Sequence, residues 1–217
     1  LPKSEYEVVD DWHVLGMRST GSMTVVAKDV FVPEYRALCA YDLRGGVPFP
    51  GATGNPNPMY RVPFSAMAAH GIGGVAVGNA QAALDLTLEF VKKRSTNYQG
   101  LKMRDIQTIQ ARVGAAGARI DAARELLRRN CHEAMEIARA GAADAPTKLR
   151  FKRDLAYAAQ IATEAVDILH AMAGANGIYD GYPIQRIFRD AHALAGHFSF
   201  STDAQYSTWG LAVLGGD

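Results

Sequence analysis

The stretch from Gly174 to His197, GANGIYDGYPIQRIFRDAHALAGH, carries Arg186, Arg189, Asp190, His192 and His197 after a Gly/Tyr/Pro turn. Asn176 and Gly177 follow a run of small residues, a pattern that predicts a left-handed helix C-cap whose freed backbone amides can hold a ligand. Arg186, Arg189 and Asp190 stand at i, i+3 and i+4, so Arg186 and Asp190 can pair on one helix face, for about 0.3–0.5 kcal/mol if exposed. His197 sits between small residues and two phenylalanines, Phe198 and Phe200. It is either a hydrogen-bonded wall residue or an acid/base near neutral pH. Upstream, Arg94 follows Lys92 and Lys93, a basic cluster that either complements a helix C-terminal dipole or binds an anion such as phosphate. Thr20 and Ser22 lie in MRSTGS at 17–22, a polar bulge that can also line a site. The histidines show no metal-binding spacing, so no metal is expected, and no GxGxxG, GxSxG or P-loop occurs.

Long helices must position these residues. Alanine and leucine recur at helical spacing over 64–95 (Ala76, Ala80, Leu84, Leu88, Val91), with Gly71, Gly73, Gly74 and Gly78 as expected points of close helix approach. A second helix is predicted near 106–141 with Ile109, Val113, Ala116, Ile120, Ala123, Leu127 and Cys131 on one face. A third, near 147–173, places Leu155, Ala159, Ala162, Val166 and Leu169 inward. Helices joined by short or medium loops pack antiparallel, and the fourth member comes from 183–196 or 201–214. Residues 5–32 predict β-structure, with YEVVD and MTVVAKDVFVP as strands, Gly16 and Gly21 at a bend, and Pro33 ending the ladder. Two or three strands are not stable alone and require a partner sheet. The proline- and glycine-rich segment 39–63 reads as a connection. The expected division is therefore 1–38 terminal strands, 39–63 loop and 64–217 helical bundle.

Composition narrows the partners. The 217 residues carry 23 basic and 22 acidic side chains, a balance that gives no electrostatic footprint for nucleic acid or an anionic membrane. No apolar run approaches the roughly 20 residues of a membrane span. Cys39 and Cys131 form no CxxC pattern, which points to a reducing, cytoplasmic location.

Two segments carry a family resemblance. NGIYDGYPIQRIFRDA at 176–191 resembles, without a gap, the N-G-Y-x-x-x-Y-P-x-x-R-x-x-R-D-A motif of the acyl-CoA dehydrogenase superfamily. WHVLGMRSTGSMTVVAKDVFVPEYR at 12–36 resembles that family's late β-domain signature. The resemblance covers essentially the whole chain and implies a mainly α fold: a C-terminal four-helix bundle preceded by a few strands from the end of a β-domain. It also implies that an N-terminal helical domain and the first strands lie outside this chain. Arg94 falls where the family has an arginine on the flavin pyrophosphate, and Gly174, Asn176 and Gly177 fall where backbone contacts to flavin are expected, across to a neighbouring subunit of a homotetramer.

A dehydrogenase of this family needs a carboxylate to take the α-proton, because a thioester α-carbon is a weak acid. Eight residues after Asp190, where the family most often carries that glutamate, stands Phe198. The alternative location corresponds to Ala68, and no Asp or Glu occurs between Asp42 and Asp85. The sequence Gly196-His197-Phe198 instead resembles the oxygenase components of two-component flavin monooxygenases. These take reduced FMN or FAD from a separate reductase and hydroxylate a phenolic or other aromatic substrate with O₂. His197 would there accept a phenolic proton or hydrogen-bond a flavin–oxygen adduct, with Thr20, Ser22 and Phe198 lining the site. The alternatives are a flavin-dependent acyl-CoA dehydrogenase with a base from outside this chain, and a helical assembly module without catalysis of its own.

Overall fold

Helix α5 (Ala145–Ala173) is the axis of the molecule. Asp144 starts it by accepting the Thr147 N–H at 2.8 Å, with Pro146 in the first turn where its missing N–H costs nothing. It buries residues on several sides, including Phe151, Leu155, Ala159, Ala162, Val166 and Leu169, because helices pack around it in more than one direction. The structure, a computed structural model, describes residues 1–39, 50–96 and 99–215, apart from the side chains of Pro50 and Ala52. The expected connection 39–63 thus falls partly outside the described residues. Its described portion holds a short helix, α1 (Pro50–Gly54), and a 3-10 turn at Pro58–Arg61.

The predicted helix over 64–95 is two helices. A short α2 (Phe64–Met67) precedes α3 (His70–Lys93), and α4 (Gln107–Ala140) follows. Gln81 on α3 meets Arg124 on α4, while Arg119 and Arg129 on α4 meet Glu164 and Asp154 on α5. These pairings, with His70 of α3 against Asn130 of α4, make α4 antiparallel to both neighbours. Helix α6 (Ile184–Ala195) completes the bundle against α3 and α5, and α7 (Thr202–Val213) lies along α5.

The buried faces correct three expectations. In α3 the core stripe runs through Ala76, Ala80, Ala83, Thr87 and Val91, so Leu84 and Leu88 are only half-buried. In α4 it passes through Leu127 to Asn130, Ala134 and Ala138, leaving Cys131 exposed. The buried positions 123, 127, 130 and 134 keep alternating four- and three-residue steps, whereas Cys131 takes a second four-residue step after Leu127 and falls one position off the face. Of the glycines at 71, 73, 74 and 78, Gly73 alone is at a close approach: a Cβ there would lie 2.6 Å from Leu155 Cδ1, whereas the others face open space.

The β-structure is also smaller than expected. Strands β1 (Glu7–Val9) and β2 (Thr24–Val26) pair antiparallel, with Val8 opposite Val25, and are largely exposed. Residues 27–32 extend the segment without pairing among the described residues. Between the strands, Met17 (φ 55°) and Gly21 (φ 59°) bracket a 3-10 turn at Arg18–Thr20.

Candidate functional site

Three short structures around α6 bring the polar residues into place. Before it, α5 ends at Gly174, whose φ of +54° turns the chain into a 3-10 turn at Gly174–Ile178. The left-handed residue is therefore Gly174, and the expected left-handed cap at Asn176 and Gly177 is not formed. Both lie inside the 3-10 turn, where bonding to i−3 carbonyls requires right-handed backbone.

Along α6, the expected Arg186–Asp190 pair is absent. Asp190 Oδ1 accepts the Met17 backbone N–H at 2.7 Å, and Arg189 donates to Gln185 Oε1 at 2.8 Å and to the Leu15 carbonyl at 2.7 Å. A tertiary bond to an otherwise unpaired N–H outcompetes an exposed intrahelical ion pair. The 15–17 segment is thereby clamped to α6 so closely that a Cβ on Gly16 would stand 2.2 Å from the Arg189 carbonyl oxygen.

Arg94 caps the end of α3 with its guanidinium 4.8 Å from the Phe90 ring centroid. No carboxylate pairs with it among the described residues, whereas Lys93 pairs with Glu89 at 3.7 Å. Arg94, Lys93, Phe90, Asn176, Tyr179 and Tyr182 line an open pocket of about 390 Å³. Burial raises the Tyr182 phenol above its ordinary value, and the Arg94 charge opposes that rise. A free guanidinium, a second cation, an amide and three aromatic rings suit a ligand that is both anionic and planar. Flavin nucleotides fit that description.

Arg94 and Asn176 are thus brought together, but Gly174 and Gly177 do not line this pocket. Gly177 is buried, and its carbonyl is taken by His170. Thr20 and Ser22 are exposed and bonded to each other at 3.2 Å, with Thr20 also donating to the Met17 carbonyl at 2.9 Å. They lie beside a groove of about 780 Å³ between α3 and α6, lined by their neighbours Arg18 and Ser19.

His197 follows the other end of α6, about 18 Å from that helix's start at 1.5 Å per residue. It caps a 3-10 turn at Phe198–Phe200: its Nδ1 accepts the Ser199 N–H at 3.2 Å. Its neutral ring therefore carries the proton on Nε2. Phe200 is buried beside it, with ring centroids 5.5 Å apart, while Phe198 is 77% exposed. Ala68, the alternative base location, lines an apolar pocket of about 460 Å³ with Phe64, Met67, His70, Cys131 and Met135, and no carboxylate lines it.

Lys93 belongs to the basic cluster that the sequence marked, whereas Phe90, Tyr179, Tyr182 and His70 were not legible as site residues. Phe90 lies one turn before Arg94, and Tyr182 belongs to the Tyr-Pro pair of the motif, so a helical-neighbour argument from Arg94 finds the first. Nothing local marks His70, which is buried with its Nδ1 unpartnered among the described residues.

Comparison with known proteins identifies the family of the chain. Across 99% of its length the chain is 33% identical to the flavin-dependent monooxygenase oxygenase subunit HsaA of Rhodococcus jostii (strain RHA1), covering 56% of that protein. It is 31% identical to the FADH(2)-dependent resorcinol hydroxylase oxygenase component of a Rhizobium species, over 99% of this chain and 55% of that one. The crystal structure of 3-HSA hydroxylase from Rhodococcus sp. RHA1 superposes on the whole chain and 56% of its own, with a TM-score of 0.92 at 32% identity. The chain thus spans about half the length of the relatives it matches. Residues 70–202, from the start of α3 to the start of α7, match the model of the acyl-CoA dehydrogenase C-terminal domain, and the chain belongs to that family.

Proposed function

We propose that this chain is the C-terminal part of the oxygenase component of a two-component flavin-dependent monooxygenase, hydroxylating a phenolic or other aromatic substrate. The observation that carries this reading is the turn after α6: the family resemblance puts Phe198 where a dehydrogenase would carry its base, and His197 beside it accepts the Ser199 N–H at one ring nitrogen with the other unpaired among the described residues. The pocket near Ala68 offers no replacement carboxylate. Relatives of similar sequence carry oxygenase names, one of them for a phenol hydroxylated with FADH2.

In this reading Arg94 and Lys93 bind the flavin phosphates, and Asn176, Tyr179 and Tyr182 pack beside them. Reduced flavin, proposed as FADH2, supplies the electrons by which one atom of O₂ enters the substrate while the other leaves as water. With Nδ1 accepting from Ser199, neutral His197 offers Nε2–H as a donor, so it hydrogen-bonds an oxygen atom of the bound reactants. The same contact disfavours the alternative role of taking a phenolic proton at Nε2. Phe198 and Phe200 add apolar surface that excludes water. A separate flavin reductase, a homotetrameric assembly and a cytoplasmic location complete the proposal. Among the described residues no helix is long and apolar enough to cross a membrane.

The test uses the full-length protein with a flavin reductase, NADH, flavin and a panel of phenols. O₂ consumption should yield hydroxylated product, and His197→Ala should divert the reducing equivalents to hydrogen peroxide. Full coupling in that variant would remove the role given to His197. Bleaching of bound oxidised flavin by an acyl-CoA without O₂ would return the protein to the dehydrogenases, and failure to bind reduced flavin would favour an assembly module.

A further inference from the structure

We propose that His170 is a positioning residue that holds the Gly174–Ile178 turn in the shape that presents Asn176 to the Arg94 pocket; this rests on the reading of that pocket as the flavin site. At the end of the turn, the bonds from the Tyr179 N–H to the Asn176 carbonyl and from Asn176 Nδ2 to the Ala173 carbonyl are both 3.4 Å long. A shorter bond comes from the preceding helix, where His170 Nε2–H donates to the Gly177 carbonyl at 3.1 Å. Gly177 is buried against that ring: a Cβ would stand 3.0 Å from His170 Nε2 and 3.4 Å from Ala173 Cβ.

The imidazole is itself fixed. It stacks on Phe188 of α6 at 4.2 Å between centroids with 27° between planes, and the Phe188 ring lies 4.3 Å from that of His192. His192 in turn bonds Asp167 on α5 at 2.8 Å. Three rings in contact, the first pair stacked and the second tilted at 54°, and a carboxylate therefore tie α5 to α6, and the ring at one end grips the turn. Rigid support of this kind keeps a contact residue within the tolerance that binding requires.

The experiment compares His170→Ala and His170→Gln in the full-length protein, the glutamine retaining an amide N–H near the position of Nε2. Two quantities are read: amide hydrogen exchange over 174–179 without flavin, and the dissociation constant for FADH2 alongside kcat at saturating flavin. His170→Ala should speed exchange in the turn while α3 to α5 keep their protection, and should weaken FADH2 binding about tenfold with kcat preserved. His170→Gln should recover most of both losses. Unchanged exchange and affinity in His170→Ala, or an equal loss in a folded His170→Gln, overturns the proposal. Faster exchange in His170→Ala beside unchanged FADH2 affinity shows a structural role only and also overturns it. If the wild-type protein binds no FADH2, the flavin reading falls and takes this role with it, whereas a wild-type protein that binds and a His170→Ala that binds equally well isolates the failure to His170.

Discussion

Asp190 Oδ1 accepts the backbone N–H of Met17 at 2.7 Å, joining residues 173 positions apart in sequence. This bond, with Arg189 on the Leu15 carbonyl, fastens the segment between β1 and β2 to the helix that leads to His197. The Arg189-Asp190 end of the 176–191 motif is thereby engaged in tertiary hydrogen bonds, while its Asn176 end borders the Arg94 pocket.

Gly16→Ala tests that clamp. The added methyl would meet the Arg189 carbonyl oxygen at 2.2 Å, a backbone atom that cannot swing aside, so the cost should reach at least the roughly 1–3 kcal/mol typical of overpacking. Asp190→Ala should cost about 1–3 kcal/mol by leaving the Met17 N–H without its acceptor. Urea unfolding of the two single variants and the double variant should show strongly non-additive losses, since both act on one contact.

The α3 glycines separate in the same assay. Gly74 and Gly78 face open space within a helix, so alanine at either should stabilise by about 0.5–1 kcal/mol through helix propensity. Gly73→Ala has the same propensity gain but drives a methyl to 2.6 Å from Leu155 Cδ1 and 3.1 Å from Leu127 Cδ1. It should come out destabilising relative to the other two, and equal midpoints for all three would contradict the packing described.

His70 gives a pH signature. Burial holds its imidazole down at about 4 against an ordinary 6.5, with the Asp154 charge opposing. The unfolded chain takes up this proton more readily than the folded one. The contribution is therefore whole above pH 6.5 and is lost as pH falls toward about 4. The loss amounts to about 3 kcal/mol when each pKa unit is worth 1.36. His70→Gln cannot titrate, so its stability deficit against wild type should shrink between about pH 7.5 and 4.5. A constant deficit over that range would show that His70 does not titrate differently on folding.

Arg94→Gln should weaken binding of reduced flavin by roughly tenfold, the loss expected for one charge-assisted bond at an exposed site, and should reduce the salt dependence of binding. Titration calorimetry at two ionic strengths measures both. An unchanged affinity would remove Arg94 from the phosphate contact.

Much of the architecture was legible because it depends on short-range order. The inward face of α5 and the end of that helix near 173 follow from residues within a few positions of one another, although the left-handed glycine is Gly174 and not the Asn176-Gly177 pair. The motif at 176–191 marked the region around α6. What local order could not supply was the choice between equivalent partners. Asp190 had a neighbour, Arg186, within one helical turn, yet it bonds Met17, because only folding brings that unpaired N–H within reach. The same applies to His70, whose buried, unpartnered ring nitrogen depends on the packing of α3, α4 and α5 around it.

By itself the sequence determined the helices and the family-like motif, both properties of residue type and spacing. The tertiary structure decided which of those residues meet. It joined Arg94 to Asn176 across α3 and the turn after α5, and it committed Asp190 Oδ1 to the Met17 N–H. It also withdrew Gly177 from the pocket by burying it against His170. Pairing and burial depend on distances between segments remote in sequence, and those distances are fixed only when the helices pack.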